Sequence, residues 1–410
     1  MTSVPDVDAR RPTVEVALTA VAAGGDALGR LPSNKVVFVE GALPDEVVVA
    51  EIVEDRHDFA RARAIEVVTA ASSRVEPSCP GVAAGCGGCQ WQHVEPRAQL
   101  GYKVSIVVDA LARIAHLRRV AMTAPVSVVS SGYRTTARTG VSPTGRAGYR
   151  RRGGHEVIAS DECTVAHPRL AELITRARYP GASQVVLRVG LAGGERVAAI
   201  SGGRRADVQV PAGVVVVEAG RRGQRAAVHE DVGGRRWRIS LDSFFQSGPA
   251  AAEVLSAAVD DAVGDALGPG GLLVDAYAGV GLLGGLVAGR RSARLVSIEQ
   301  HRSAVADAVA NLADLDASVV RTAVARWRPP PADAVDVVVA DPARPGLGRP
   351  GVTALSAAGA PRLVLVSCDP ASLARDAALL HAAGYRLARC QVLDLFPQTA
   401  HVEVVARFDR

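Results

Sequence analysis

From about Leu241 onward, short apolar, β-branched runs alternate with helical stretches, and this alternation constrains the fold more than any other feature of the chain. LLVDAYAG, LVSIEQ, VDVVVADP and LVLVSC read as buried strands, and HRSAVADAVANLADL and ASLARDAALLHAAG read as helices between them. Parallel strands need crossover connections, and both faces of their sheet must be covered, so the pattern predicts a doubly wound α/β sheet. Two late runs, QVLDLF and HVEVVARF, predict a closing antiparallel pair, with Cys390 as a core residue just before it. Open sheets of this kind place ligands outside the carboxyl ends of their strands.

Two stretches put reactive groups at such ends. In LVLVSCDPASLARD, Leu363–Asp376, the strand delivers Cys368 to a point where a helix begins. Unpaired amides and the helix dipole favour negative charge there, so the thiol is expected to shift toward thiolate and act as a nucleophile. The alternative is an inert buried cysteine. Gly279, Gly281 and Gly284 match the glycine-rich turn of dinucleotide sites, and Glu299 follows at the spacing of a ribose-binding acid. However, Asp275 precedes that loop and Asp341 ends another strand. Carboxylates repel a pyrophosphate and attract the ammonium and sulfonium of S-adenosylmethionine, so the cationic methyl donor is the favoured cofactor.

The N-terminal part reads differently. Between Val14 and Val68, alternating runs separated by Gly, Pro, Asn and Asp turns predict a five-stranded barrel of the oligonucleotide-binding kind. Next, Cys79, Cys86 and Cys89 fall at C-x6-C-x2-C spacing, and Cys163 offers a fourth thiol. Four thiolates suit a [4Fe–4S] cluster or tetrahedral zinc, and a Cys86–Cys89 redox disulfide is the remaining option. Arg97–Leu117 predicts an amphipathic helix with Leu100, Val104, Val107, Val108, Leu111 and Ile114 on its apolar side. Tyr133–Ile158 interleaves Tyr133 and Tyr149 with Arg134, Arg138, Arg146, Arg150, Arg151 and Arg152, a pattern that grips phosphates and stacks on bases, or forms a solvated charged hairpin.

Composition narrows the setting. A net charge of +5 permits a nucleic-acid partner without requiring one. Neither an export signal nor a membrane span is read in the sequence, so the six cysteines are expected in a reducing, cytoplasmic compartment, as ligands or catalysts.

The ordered set of motifs resembles the RNA uracil-5-methyltransferases that carry an N-terminal TRAM domain and an iron-sulfur cluster, and the ribosomal-RNA members above all. The resemblance rests on the barrel segment, the cysteine triad with Cys163, SFFQ at Ser243–Gln246, DAYAGVG, DPAR at Asp341–Arg344, SCDPASLARD, and DLFPQTAHVE at Asp394–Glu403. It implies three units: a TRAM barrel over 10–70, a central cysteine-bearing and RNA-contacting unit over 71–240, and a Rossmann-like methyltransferase domain over 241–410. It also implies that Cys368 attacks uracil C6 and that Glu403 removes the C5 proton. Gln246, Tyr277, Glu299 and Asp341 would bind S-adenosylmethionine, Cys79, Cys86, Cys89 and Cys163 would hold the cluster, and Arg344, Thr399 and His401 would support the site. Phe245 or Phe396 would pack on a flipped base. The partner implied is structured RNA, 23S rRNA ahead of tRNA, met by a monomer away from membranes. A cluster-bearing RNA-binding protein without catalysis is the other reading. The chain departs from the family pattern at Asp45, Ser247–Gly248, Leu282 and Ala343.

Overall fold

The structure is a computed structural model that describes residues 11–220, 226–329 and 334–410. Near the N-terminus, five strands close into a barrel in the order Thr13–Val21, Ala27–Arg30, Val36–Glu40, Phe59–Thr69, Val47–Asp55. Alternation puts Val16, Leu18, Val37, Val39, Val48 and Ala50 inside. The turn before the last-placed strand holds Asp45 at φ 67°, a left-handed conformation that Asp tolerates and Gly prefers. That accounts for the departure from the family's glycine at this position. Beside it, the buried Glu46 carboxylate accepts from Leu43 N at 2.8 Å and from Arg74 Nε at 2.5 Å.

The barrel meets the rest of the molecule at several points, and the tightest of them is one turn. Gly25, at φ 97°, accepts a hydrogen bond from Trp91 Nε1 at 3.0 Å. A Cβ there would lie 2.6 Å from the Ala400 methyl and 2.9 Å from Trp91 Nε1, so only glycine fits.

The middle of the chain forms a six-stranded sheet in the order Val214–Glu218, Arg196–Gly202, Ala182–Val189, Thr136–Val141, Ala147–Arg150, Val157–Ile158. Helix Pro168–Thr175 lays Leu170, Leu173 and Ile174 into the core of this sheet.

In the catalytic part, the strands are β1 (Leu272–Ala276), β2 (Arg294–Glu299), β3 (Ala317–Arg321), β4 (Val337–Ala340), β5 (Arg362–Ser367), β6 (Arg386–Asp394) and β7 (Glu403–Asp409). Their order is 3-2-1-4-5-7-6, with β7 antiparallel to both neighbours, and Val126–Ser127 adds a short parallel edge beside β6. Every residue of β1, β4 and β5 is buried, as expected of strands covered on both faces. Cys390 is fully buried, although it lies within β6 rather than before it. Among the described residues, no helix is long and apolar enough to cross a membrane.

Helix α1 (Pro96–Ile114) departs from its expected face. Val107 and Leu111 are buried as read, but Val108 and Ile114 are exposed, and Gln99 and Lys103 are buried instead. Val107, Ala110 and Leu111 join the core of the catalytic sheet, so this helix packs with elements beyond the division at 240. The hairpin Ala227–Val232 and Arg235–Ser240 does likewise through the buried Trp237.

Candidate active site

The carboxyl ends of β1, β2, β4 and β5 and the start of β7 meet at one edge of the sheet. They carry Asp275, Glu299, Asp341, Cys368 and Glu403, in that order. After β1, the loop turns through Tyr277 at φ 63°, Gly279 at φ 58° and Gly281 at φ 85°, and helix α2 (Leu282–Arg291) begins. Gly279 N donates to Glu299 Oε2 at 3.0 Å, tying the loop to the end of β2.

Asp275 occupies the place a phosphate would need. Gly284 N, in the first turn of α2, donates to Asp275 Oδ2 at 2.9 Å, and a Cβ on Gly284 would lie 2.6 Å from that carboxylate. The third glycine of the motif therefore makes room for an acid, and a pyrophosphate would meet its charge. Asp275 Oδ1 is buried without a partner, and burial pushes the carboxyl up to about 7. Asp341, also desolvated, is raised to about 7. Glu403 is raised well above its ordinary value by burial and by Asp341, with Arg344 opposing, and its Oε1 has no partner.

This environment reverses the expectation for Cys368. Burial, then Glu403 and Asp341, push the half-buried thiol up to about 11, against the weaker pull of Arg344. The helix that follows, α3 (Pro370–Ala382), has little to offer the sulfur. Pro370 lacks an N–H, and Ser372 N already donates to the Asp369 cap at 2.7 Å.

The SFFQ segment lies outside the sheet, just before the helix Pro249–Val263. Gln246 is buried, and the two departures after it are part of the packing. Ser247 Oγ donates to Leu395 O at 2.9 Å, and a Cβ on Gly248 would lie 2.2 Å from Tyr133 O. Phe245 is in the core and Phe396 is partly buried against it, whereas Phe244 is 68% exposed. Adjacent identical side chains gave the sequence no means of choosing between Phe244 and Phe245. Thr399 Oγ1 accepts from His401 N at 3.3 Å, and His401 Nδ1 lies 3.0 Å from Arg344 Nη2.

Cys79, Cys86, Cys89 and Cys163 line one cavity. All are free thiols, so the Cys86–Cys89 disulfide is not formed. Gly87 and Gly88 let their loop lie on the strand Ala147–Arg150: a Cβ on Gly87 would meet Arg150 O at 2.5 Å, and one on Gly88 the Tyr149 ring at 3.0 Å. Among the described residues, no three His, Cys, Asp or Glu side chains are gathered tightly enough to hold a metal ion.

The Arg/Tyr stretch is largely spoken for. Arg134 lies between the Tyr133 and Tyr149 rings, 5.9 Å from each centroid. Arg146 pairs with Asp161, Arg151 with Glu156, and Arg152 with Asp26 and Glu40 of the barrel. All four guanidiniums have partners, but Asp161 and Glu156 are exposed, so the Arg146 and Arg151 pairs leave the expected phosphate grip open.

Residues 9–65 match the TRAM domain. An RNA methyltransferase of Streptomyces coelicolor, described as uncharacterized, is 35% identical over 96% of this chain and 92% of its own. The 23S rRNA (uracil(1939)-C(5))-methyltransferase of Acidithiobacillus ferrooxidans is 34% identical over 92% of this chain and 93% of its own. The chain belongs to the RNA uracil-C5 methyltransferase family. The fold agrees: the tRNA (uracil-54, C5)-methyltransferase of Pyrococcus abyssi, solved with S-adenosyl-L-homocysteine, superposes with a TM-score of 0.74 over 96% of this chain and 99% of that one, at 22% identity. Within an RNA uracil-C5 methyltransferase, a crevice that combines a thiol with buried carboxylates has an evident use.

Proposed function

We propose that this protein makes 5-methyluridine in structured RNA, 23S rRNA first, through a covalent Cys368 adduct that Glu403 resolves. The observation that carries the reading is the convergence of Cys368, Asp341, Arg344 and Glu403 at one edge of the sheet, where Asp341 and Arg344 act on both the Cys368 thiol and the Glu403 carboxyl. Uracil C5 is a weak nucleophile. Cys368 gives up its thiol proton to solvent once a cationic cofactor offsets the Glu403 and Asp341 carboxylates, and attack of the thiolate on C6 forms the S–C6 bond and moves the C5–C6 electron pair into an enolate centred on C5. S-adenosylmethionine, when bound, supplies the methyl group to C5. The Glu403 carboxylate then takes the C5 proton, the electron pair restores C5=C6, and the sulfur leaves as thiolate.

The unpartnered oxygen of Asp275 and the raised carboxyls of Asp341 and Glu403 fit a cationic cofactor, which would neutralise them. Gln246, Tyr277, Glu299 and Asp341 are the residues that would hold it. Ser247 and Gly248 are integral to the packing, which favours a working site over a degenerate one. Four thiols lining one cavity suit a [4Fe–4S] cluster, with tetrahedral zinc as the alternative. The proposed chemistry transfers no electrons, so a cluster there would be structural.

Nucleoside mass spectrometry of ribosomal and transfer RNA, from cells with and without the gene, tests the reading. Loss of 5-methyluridine from rRNA is the expected result. Loss from tRNA alone would overturn the substrate, and no loss from either would overturn the activity.

A further inference from the structure

Lys103 is one of two lysines in the chain and is fully buried. Its Nζ donates to Asp394 Oδ1 at 2.5 Å and to Phe396 O at 3.3 Å, and it lies 5.8 Å from the Trp91 ring centroid. Desolvating two charges costs several kcal/mol, and a well-packed apolar pair is often as stable or more so. Stability alone is therefore a poor account of this pair. Its placement offers a better one.

Asp394 ends β6, and the residue before it, Leu393, sits opposite Glu403 in the β6–β7 register. The pair thus pins the base of the hairpin whose return strand opens with Glu403. From there a chain of bonds runs through the loop. Asp394 Oδ1 accepts from Phe396 N at 3.2 Å, Phe396 O accepts from Thr399 Oγ1 at 2.7 Å, and Thr399 Oγ1 accepts from His401 N at 3.3 Å. Four residues before Lys103 on the same helix, Gln99 holds the far side of the loop. Its amide donates to Gln398 Oε1 at 3.0 Å and accepts from Gln398 N at 2.8 Å, where Gln398 is at φ 68°. Helix α1 grips the loop at two points and touches nothing that reacts.

We infer that Lys103, paired with Asp394, is a positioning residue for proton abstraction: it fixes the loop between β6 and β7 so that Glu403 is held against the C5 proton of the methylated adduct. Attack by Cys368 and methyl transfer draw on β5 and the cofactor crevice and do not depend on this grip. Loss of the pair slows resolution of the adduct selectively. The inference rests on the proposed roles of Cys368 and Glu403.

The test is single-turnover methylation by the full-length protein, using S-adenosylmethionine and a transcript of the RNA class whose 5-methyluridine depends on the gene. Covalent protein–RNA adduct is followed on denaturing gels. Glu403→Gln is the reference and accumulates methylated adduct. Lys103→Met accumulates the same species, releasing RNA roughly tenfold to a hundredfold more slowly than wild type, the scale of a misplaced catalytic group. Its KM values for RNA and cofactor stay near wild type. Lys103→Met/Asp394→Leu, which leaves no lone buried charge, regains thermal stability but still releases slowly. It also serves as the test protein if the single variant does not fold. Trapping by Glu403→Gln with release at the wild-type rate from the double variant would make the pair merely structural and overturn the inference alone. Equal slowing of adduct formation and release would overturn it as well. No adduct from Glu403→Gln would overturn the base assignment and this inference with it.

Discussion

Asp394 and Glu403 stand at the two feet of one hairpin, both buried and both pushed up by desolvation, yet only Asp394 has a cation bonded to it. Asp394 has Lys103 at 2.5 Å and a backbone amide besides. Glu403 has an oxygen with no partner, a second carboxyl nearby in Asp341, and only Arg344 acting in its favour. A buried carboxylate with a cation is already satisfied and can only hold something in place. One without a cation keeps its proton until a positive ligand arrives, and that is the condition of a site.

The comparison can be broken or sharpened by experiment. The largest effect belongs to the nucleophile: Cys368→Ala should leave no methylation and no covalent RNA adduct in a denaturing-gel assay. Glu403→Gln should cut steady-state turnover by about 10²–10⁴-fold, the usual contribution of a general base, while adduct accumulates. On the satisfied side, Lys103→Met strands the Asp394 charge and should cost about 3–5 kcal/mol in denaturant unfolding. Asp394→Leu in that background should recover most of the loss.

Protonation gives a smaller effect with a definite sign. Asp275 and Asp341 titrate near 7 in the ligand-free protein, so they are neutral below that pH and anionic above it. Affinity for cationic S-adenosylmethionine should therefore rise with pH through 7, by up to about tenfold per unit for each proton displaced. Calorimetry at pH 6 and 8 in two buffers would show both the affinity change and the protons released. The same raised values contribute stability to the ligand-free fold in full below about pH 4 and lose it between there and about pH 7, so its melting temperature should drop over that window and level off above it. Smallest of all is Arg113→Ala on the outer face of α1. It removes an exposed pair with Asp109 and should change stability by no more than about 0.5 kcal/mol.

What could be read from the sequence follows how local each interaction is. Barrel strands and the catalytic sheet were legible because alternation and alternating strand–helix order are short-range signals. Cys368 at the end of β5 was legible for the same reason. Its raised pKa was not, because Glu403 and Asp341 reach it from other strands and the helix end is occupied by its own cap. The buried face of α1 escaped for a sharper reason: Gln99 and Lys103 look like solvent-facing residues until their partners appear, 299 and 291 positions away. Arg152 similarly found its acids in the barrel, more than a hundred residues upstream.

The Gly25 turn has a bearing on how such a protein can evolve. Because its backbone sits directly on Ala400 and Trp91, the barrel is not a bead that recombination can trade for another of the same shape. A transplanted barrel would need a side-chain-free turn at that point of contact. Otherwise it would push on the loop that leads to Glu403, so the ancestry of the first seventy residues and that of the last twenty are tied together at the place where a hydrogen atom stands for a side chain.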